Sequence, residues 1–456
     1  MKHRSPYLSL AAGLLFFPLA AVRADSPLPA SGRYLVAANN TPETLLADPR
    51  VKLEFGDERL MFEGGLQPSV QVTRSGTLFA QAQAPKKSPP QKRMTYPSLL
   101  LTGLSHDAGR TWQLLPVEAG VNAPNLEGGL VQQRDGTLLA LDTYVTPGPR
   151  PGTGVGQLYI SHDDWKTMEG PIEATFTIPQ VSFTGSTDDG GRPYGAVRLH
   201  RRILELPNGD LLTTIYGIFD GDNTPSHYMK TMMKMRVMLM RSTNGGRHWE
   251  YVSTVAVDPQ VGTEGYDEPA IVRISQGRHA GRLLCLMRTG RELREAWSDD
   301  EGRTWSPARP RVFGDLDVYA TQNWAEMFRE VKDKKGHLII NNPDEFIGAV
   351  VDPDLIELPT GVLAASFGVR VPPRACWPRA GHPWNGNYLA LSWDGGETWS
   401  HLVRMTSGVL TTHYTAVENT PAGNELFYAY DLGDWGSGQG RSAYGRFVRF
   451  TFTAQP

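Results

Sequence analysis

The stretch Ser105-His106-Asp107-Ala108-Gly109-Arg110-Thr111-Trp112 decides the fold, because it returns. It recurs as Ser298-Asp299-Asp300-Glu301-Gly302-Arg303-Thr304-Trp305 and as Ser392-Trp393-Asp394-Gly395-Gly396-Glu397-Thr398-Trp399. Ser242 to Trp249 is a variant with Asn244 for Asp and His248 for Thr, and Ser161-His162-Asp163-Asp164-Trp165 reads as a decayed copy. An Asp and a Gly at fixed offsets make a tight turn held by side-chain-to-backbone hydrogen bonds. The octapeptide is therefore a hairpin, and its Trp is a packing residue between neighbouring sheets. One copy would mean little; three clean copies and two degraded ones mark a repeat architecture.

A second repeat precedes each hairpin: an apolar strand, a Gly turn, and another apolar strand. It spans Ser69 to Ala80, Leu130 to Leu141, Ile203 to Thr214, Leu355 to Ala365 and Ala416 to Ala429, and Ala270 to Met287 is the same unit with extra residues after Gly277. The runs are short and aliphatic or β-branched, which favours strands over helices. Four strands per unit, repeated six times, predict an all-β, six-bladed β-propeller with four-stranded antiparallel blades. Arg446 to Phe452 reads as a closing strand. Seven blades is the alternative count, since Val331 to Ile340 also reads as strand, Gly336 turn, strand; Leu316 to Gly348 is instead assigned as an insertion.

Composition narrows the class. Hydrophobic content is 40%, with 48 Gly and 34 Pro among 456 residues, which fits a turn-rich globular chain. A net charge of −3 favours neither nucleic acid nor an anionic membrane. Lys2, His3 and Arg4 precede the apolar run Leu8 to Val22, and Val22-Arg23-Ala24 is a small-residue cleavage site, so residues 1–24 read as a cleavable signal peptide. The expected location is secreted or periplasmic, with no membrane insertion. Residues 25–54 then form a lead-in and 55–456 the propeller. Cys285 sits in an apolar strand and reads as a buried free thiol; whether it pairs with Cys376 is left open.

Aligning the units on Gly76, Gly136, Gly209, Gly277, Gly361 and Gly423, and stepping back nine positions, gives a column: Gln67, Glu127, His200, Glu268, Asp352 and Tyr414. The same step from Gly336 reaches Met327. In a propeller the first strand of each blade lines the channel, so the column should ring one mouth, opposite the hairpin turns. The ends of the second strands add Asp142, Tyr216, Arg288, Arg370 and Asp431. Singly, such residues are ordinary loop chemistry; as a ring around a concavity they are a binding surface.

The octapeptide repeats resemble the Asp-boxes, or BNR repeats, of the sialidase (neuraminidase) superfamily, from about Phe55 to the C-terminus. That resemblance implies an exo-sialidase-like glycosidase cleaving a terminal acidic sugar from a glycan. It implies a Tyr nucleophile paired with a Glu, an Asp acid/base and three arginines on the substrate carboxylate. Tyr414 is similar to the nucleophile, Glu268 to its partner, Arg288 to the second arginine and Arg370 to the third. The first-blade Arg-Ile-Pro motif has no counterpart in Gly65-Leu66-Gln67-Pro68-Ser69; the nearest substitute is Arg201-Arg202-Ile203, followed by Asp220 or Asp222 as acid/base. Tyrosine nucleophiles are a recognised exception among glycosidases, and arginines hold carboxylates in bidentate fashion. Glu127, Asp352, Asp354, Tyr216 and Gln67 complete the expected substrate surface.

Two other classes fit the same residues. A polysaccharide lyase, or a glycosidase acting beside a uronate, would use His200, Tyr216 and Tyr414 as base and acid. A non-catalytic glycan-binding propeller would use Trp324, Trp377, Trp384 and Trp435 to stack on sugars. No spacing matches a metal-ligand motif and no cofactor is expected. The expected partner is an acidic glycan or oligosaccharide, not nucleic acid.

Overall fold

In the computed structural model, which describes residues 39–87, 98–117, 122–184, 187–188, 193–227, 232–314, 316, 349–370, 384–433 and 440–453, the repeated hairpins are closed alike. Ser105 Oγ donates to Asp107 Oδ1 at 2.9 Å and accepts from Gly109 N at 2.8 Å, while Thr111 N and Oγ1 donate to the two Asp107 oxygens. Ser298-Asp300-Gly302-Thr304 and Ser392-Asp394-Gly396-Thr398 repeat the set. The copy at Ser161 has not lost it: Thr167 N and Oγ1 donate to Asp163. Its Gly and its terminal Trp have gone, with Met168 at the latter position. Trp165 takes the Gly position at φ 64, fully buried, stacks on Phe79 at 4.9 Å and donates Nε1 to Gln71.

The strands form six antiparallel meanders. They are Leu66–Val72, Leu78–Lys87, Ser98–Ser105 and Gln113–Leu114; Leu130–Gln132, Leu138–Leu141, Thr153–Ser161 and Glu169–Thr177; and Val197–Glu205, Leu211–Phe219, Arg236–Ser242 and His248–Ala256. Then come Asp267–Arg273, Leu283–Arg288, Leu293–Ser298 and Arg309–Arg311; and Ala349–Glu357, Leu363–Arg370, Gly386–Ser392 and His401–Arg404. The last consists of Thr415–Asn419, Glu425–Leu432, Ser442–Phe452 and, from the other end of the chain, Val51–Phe55. Glu43–Leu46 also adds to the fifth, so the stretch expected as a lead-in, residues 25–54, supplies one strand and most of another. The second and third meanders are joined into one sheet by parallel pairs, Thr175 with His248 and Arg202 with Leu130.

First strands of successive meanders touch in a closed circuit, with the turn Leu126–Gly128 carrying the contact into the second. Six apolar clusters fill the seams. Trp165, Trp249 and Trp399 lie in three of them, and Trp112 and Trp305 pack against two more. These Trp residues come from the third-to-fourth-strand hairpins. Burying such a side chain is worth roughly 1.5–3 kcal/mol or more, so the octapeptide both turns the chain and binds one sheet to the next. Cys285 is a buried free thiol; Cys376 and nearly all of the expected insertion lie outside the described residues. Among the described residues no helix is long and apolar enough to cross a membrane.

Candidate functional site

The first strands carry a bulge where they enter the mouth. Gln67, Glu268 and Asp352 adopt φ of 52, 36 and 50, and the ladder slips between Leu66 and Ser69, Asp267 and Ala270, and Val351 and Asp354. Each is followed by a proline, Pro68, Pro269 or Pro353. Proline offers no N–H, so it suits a place where the ladder is interrupted, and the bulge re-aims the preceding side chain. The third meander holds one more residue in its slip, between Leu199 and Ile203, and there Arg201 has the positive φ, at 64. His200 is aligned by the turn glycine, but Arg201 holds the equivalent backbone position. In the second meander Glu127 sits in the turn Leu126–Gly128, and in the last His413 takes φ 67 just before Tyr414.

Tyr414 and Glu268 meet. The Tyr414 hydroxyl donates to Glu268 Oε1 at 2.5 Å. Arg288 Nη1 donates to that same oxygen at 2.7 Å and to the Tyr414 hydroxyl at 3.1 Å, and its Nη2 reaches Glu264 at 2.9 Å. Asp267 lies 3.9 Å from Arg288 Nε. Burial would raise the Glu268 pKa, but the Arg288 charge outweighs it and holds the carboxyl well below the usual range. Burial, then the Glu268 charge, pushes the Tyr414 phenol well above its ordinary value. Burial and the Glu264 charge likewise push the Asp267 carboxyl well above its ordinary value. The resting state is thus a neutral phenol donating to a carboxylate that a guanidinium keeps charged. Glu268 is buried, whereas Tyr414 is partly open to solvent.

Arg201 and Arg202, expected to bind substrate, instead cross the channel axis. Arg201 bonds Asp352, and Arg202 donates to Asp354 at 2.7 and 2.8 Å, to Glu418 and to the Val417 carbonyl at 2.6 Å. Their partners belong to the fifth and sixth meanders. The same oxygens of Asp352 and Asp354 accept from Thr415 N and Val417 N. Buried charges require such pairing. These side chains plug the space between the third, fifth and sixth meanders, with both arginines paired to carboxylates. Glu418 is pushed up to about 7 by burial, against the pull of Arg202.

The other expected residues divide. Arg370 donates Nε and Nη2 to the Thr412 carbonyl and lies over the Tyr414 ring at 5.3 Å. It lies beside His413, which burial and the Arg370 charge keep neutral. Among the described arginines at this mouth, Arg198, Arg201, Arg202 and Arg288 have carboxylate partners; Arg370 has none. Glu127 pairs with Arg198 at 2.9 Å, and Arg198 lies over the Tyr216 ring. The Gln67 amide donates to Asp431. His200 is buried, with Nδ1 on the Pro269 carbonyl and Nε2 3.6 Å from Asp352, an interior ring rather than a reachable base. Asp222 is clamped by Arg236 at 2.6 Å through both nitrogens, and Asp220 is exposed beyond the strand end. Neither bonds to the Tyr414 cluster among the described residues. The Trp384 carbonyl accepts from the Tyr388 hydroxyl, and Trp384 packs on the apolar core; Trp324, Trp377 and Trp435 lie outside the described residues.

Glu264, Glu418 and Arg198 were missed by the sequence reading. They lie off the aligned column, four positions before Glu268, four after Tyr414 and two before His200. Only a search of the flanks of each column residue for opposite charge would have found them.

No family model matches the chain, and no curated protein matches it. Solved structures do. A protein of unknown function from Dyadobacter fermentans DSM 18053 superposes with a TM-score of 0.58 at 16% identity, over 89% of this chain and 100% of that one. A structure described as NanB plus Optactamide gives 0.50 at 13% identity, over 85% and 70%. The GH93 alpha-L-arabinofuranosidase of Fusarium graminearum, with arabinobiose, gives 0.49 at 10% identity, over 87% and 98%. At these identities the likeness is one of fold.

Proposed function

We propose that this chain is a propeller glycosidase whose nucleophile is Tyr414, and that the six meanders are its blades. The short contact between Tyr414 and Glu268, made across the mouth from the sixth and fourth meanders, carries the reading. In the forward step the phenol oxygen attacks the anomeric carbon and the glycosidic C–O bond breaks. The phenolic proton passes to Glu268, and the leaving oxygen takes a proton from an acid. A neutral phenol suits an anomeric centre beside a carboxylate, where an anionic nucleophile would be repelled. Glu268, held charged by Arg288, is a weak base at rest. It accepts the proton as positive charge develops at the sugar, so the phenol becomes nucleophilic only in the transition state.

The substrate reading is a terminal acidic sugar. Arg370 supports it: a buried guanidinium without a carboxylate partner among the described residues, stacked on the proposed nucleophile, is placed for an anionic group next to the anomeric carbon. Arg288, engaged by Glu264 and Glu268, holds the nucleophile pair together. The enzyme is read as exported, on the basic start and apolar run of residues 1–24.

The test is a panel of aryl glycosides, comprising sialosides, uronides and neutral pentosides and hexosides, given to wild type and Tyr414→Phe. Turnover of an acidic member that disappears in Tyr414→Phe supports the reading. Hydrolysis of none of them by wild type, or full activity in Tyr414→Phe, overturns it. Unsaturated products absorbing in the near ultraviolet would point to elimination instead.

A further inference from the structure

We propose that Asp431 is a positioning residue for Tyr414. The inference rests on the reading of Tyr414 as nucleophile and concerns what aims it. Asp431 is the penultimate residue of the strand Glu425–Leu432 and is fully buried. Its Oδ1 accepts from Thr411 Oγ1 and Thr412 N, each at 2.7 Å; its Oδ2 accepts from Gln67 N at 2.7 Å and from Thr412 Oγ1. No cation pairs with it among the described residues. Four donors with fixed directions therefore take the place of a counter-charge, the arrangement a buried carboxylate needs to remain in place.

All but one of those donors belong to the segment just before the nucleophile. Residues 411–414 precede the ladder, which begins at Thr415. The segment is strained, since His413 is a non-glycine residue at φ 67. It is held folded by His413 N donating to Thr411 Oγ1 at 3.0 Å. Arg370 binds the Thr412 carbonyl from the fifth meander, and Gly368 lies so close that a Cβ there would meet the His413 carbonyl oxygen at 2.1 Å. On the far side of Tyr414, Thr415 N donates to Asp352. Tyr414 is thus pinned before and after by two aspartates. Asp352 also anchors the Arg201 plug, whereas the bonds of Asp431 go to this hook and to Gln67 N. The Gln67 bond ties the hook to the first meander, across the seam where the two ends of the chain close the circuit.

The hydroxyl must stay within bonding reach of Glu268 for proton transfer, and a displacement of about 1 Å costs on the order of 10²-fold in rate. Asp431→Asn puts an NH2 group against donors and releases the hook. On the aryl glycoside that wild type hydrolyses, Asp431→Asn should lower kcat on the order of 10²-fold and change KM by less than about threefold. Asp48→Asn breaks an ion pair, at the outer edge, between the buried Asp48 and the partly exposed Arg50, and should leave kcat per folded molecule unchanged. If Asp431→Asn does not accumulate folded, Thr411→Val removes two bonds of the same hook and should show the same kcat-only loss. A kcat within about twofold of wild type in Asp431→Asn or Thr411→Val, with Tyr414→Phe inactive, overturns this proposal and leaves the nucleophile standing. Full activity in Tyr414→Phe removes the reading on which it rests.

Discussion

At the scale of single residues, the mouth is governed by which carboxylates keep their charge. Glu268 is held ionised by Arg288, while Glu418 is pushed up to about 7 by burial. The consequence for Glu418 has a definite sign. Its ordinary value is 4.5, so between 4.5 and 7 the folded chain binds the proton more tightly than the unfolded one. Stability contributed by this group is complete below pH 4.5 and is lost as pH climbs through 7. Gln can still accept from Arg202 but cannot ionise. Glu418→Gln should therefore gain on wild type as pH rises, by up to roughly 3 kcal/mol between pH 4 and 8. Urea unfolding of both proteins at those two pH values measures it; a gain that shrinks with pH would show the carboxyl is not buried as described.

Legibility at this scale was uneven. Gln67, Glu268 and Asp352 emerge from a nine-residue step because the bulge lies at a constant distance from the turn, and the same step reaches Tyr414, one residue past the positive φ of His413. In the third meander one extra residue moves Arg201 into the place expected of His200, and nothing local in His200-Arg201-Arg202 announces it. The axial pairs, Arg202 with Asp354 and Glu418, join residues 152 and 216 positions apart. Their partners are set by the curvature of the whole ring, so local pattern carries no trace of them.

At the scale of elements, the octapeptide hairpin was legible because its chemistry is local: Ser, Asp, Gly and Thr bond within one turn. The copy at Ser161 looked decayed because Trp165 occupies the Gly position, yet the Asp163–Thr167 bonds survive. Its Trp reaches the seam from a different place in the turn. In the third hairpin Trp249 is fully buried, faces Phe176 of the preceding meander at 6.3 Å and donates Nε1 to the Gly246 carbonyl. Trp249→Ala should cost about 3–5 kcal/mol in denaturant unfolding. Trp297→Ala, at a half-buried ring covered by Arg309, should cost clearly less. Equal losses would mean the seams do not carry the stability assigned to them.

At the scale of the whole molecule, the chain closes its circuit with its own ends. Val51–Phe55 pairs with residues 448–452, and Arg59–Glu63 continues along the same strand. The alternation of Val51, Leu53 and Phe55 was visible, but a single short strand without its turn does not reveal a partner four hundred residues away. Without this strand, residues 448–452 would present an open edge. The double substitution Leu53→Pro/Glu54→Pro removes two consecutive donors and should destabilise the protein by about 3 kcal/mol or more. Calorimetry should show one lowered transition, because every meander contacts the next. An early separate transition with the main one unchanged would show that closure is dispensable.

All three scales meet at Tyr414: a protonated phenol, aimed by a strained hook, at the mouth of a closed ring. The most direct measurement is covalent trapping with an activated 2-deoxy-2-fluoro or 3-fluoro glycosyl fluoride of the sugar that wild type hydrolyses, followed by mass spectrometry of the digested protein. The reading predicts one added glycosyl group on the peptide containing Tyr414, with none in Tyr414→Phe and much slower labelling in Glu268→Gln. A glycosyl group on a carboxylate of another peptide, or turnover with inversion at the anomeric carbon and no trapped adduct, would contradict it.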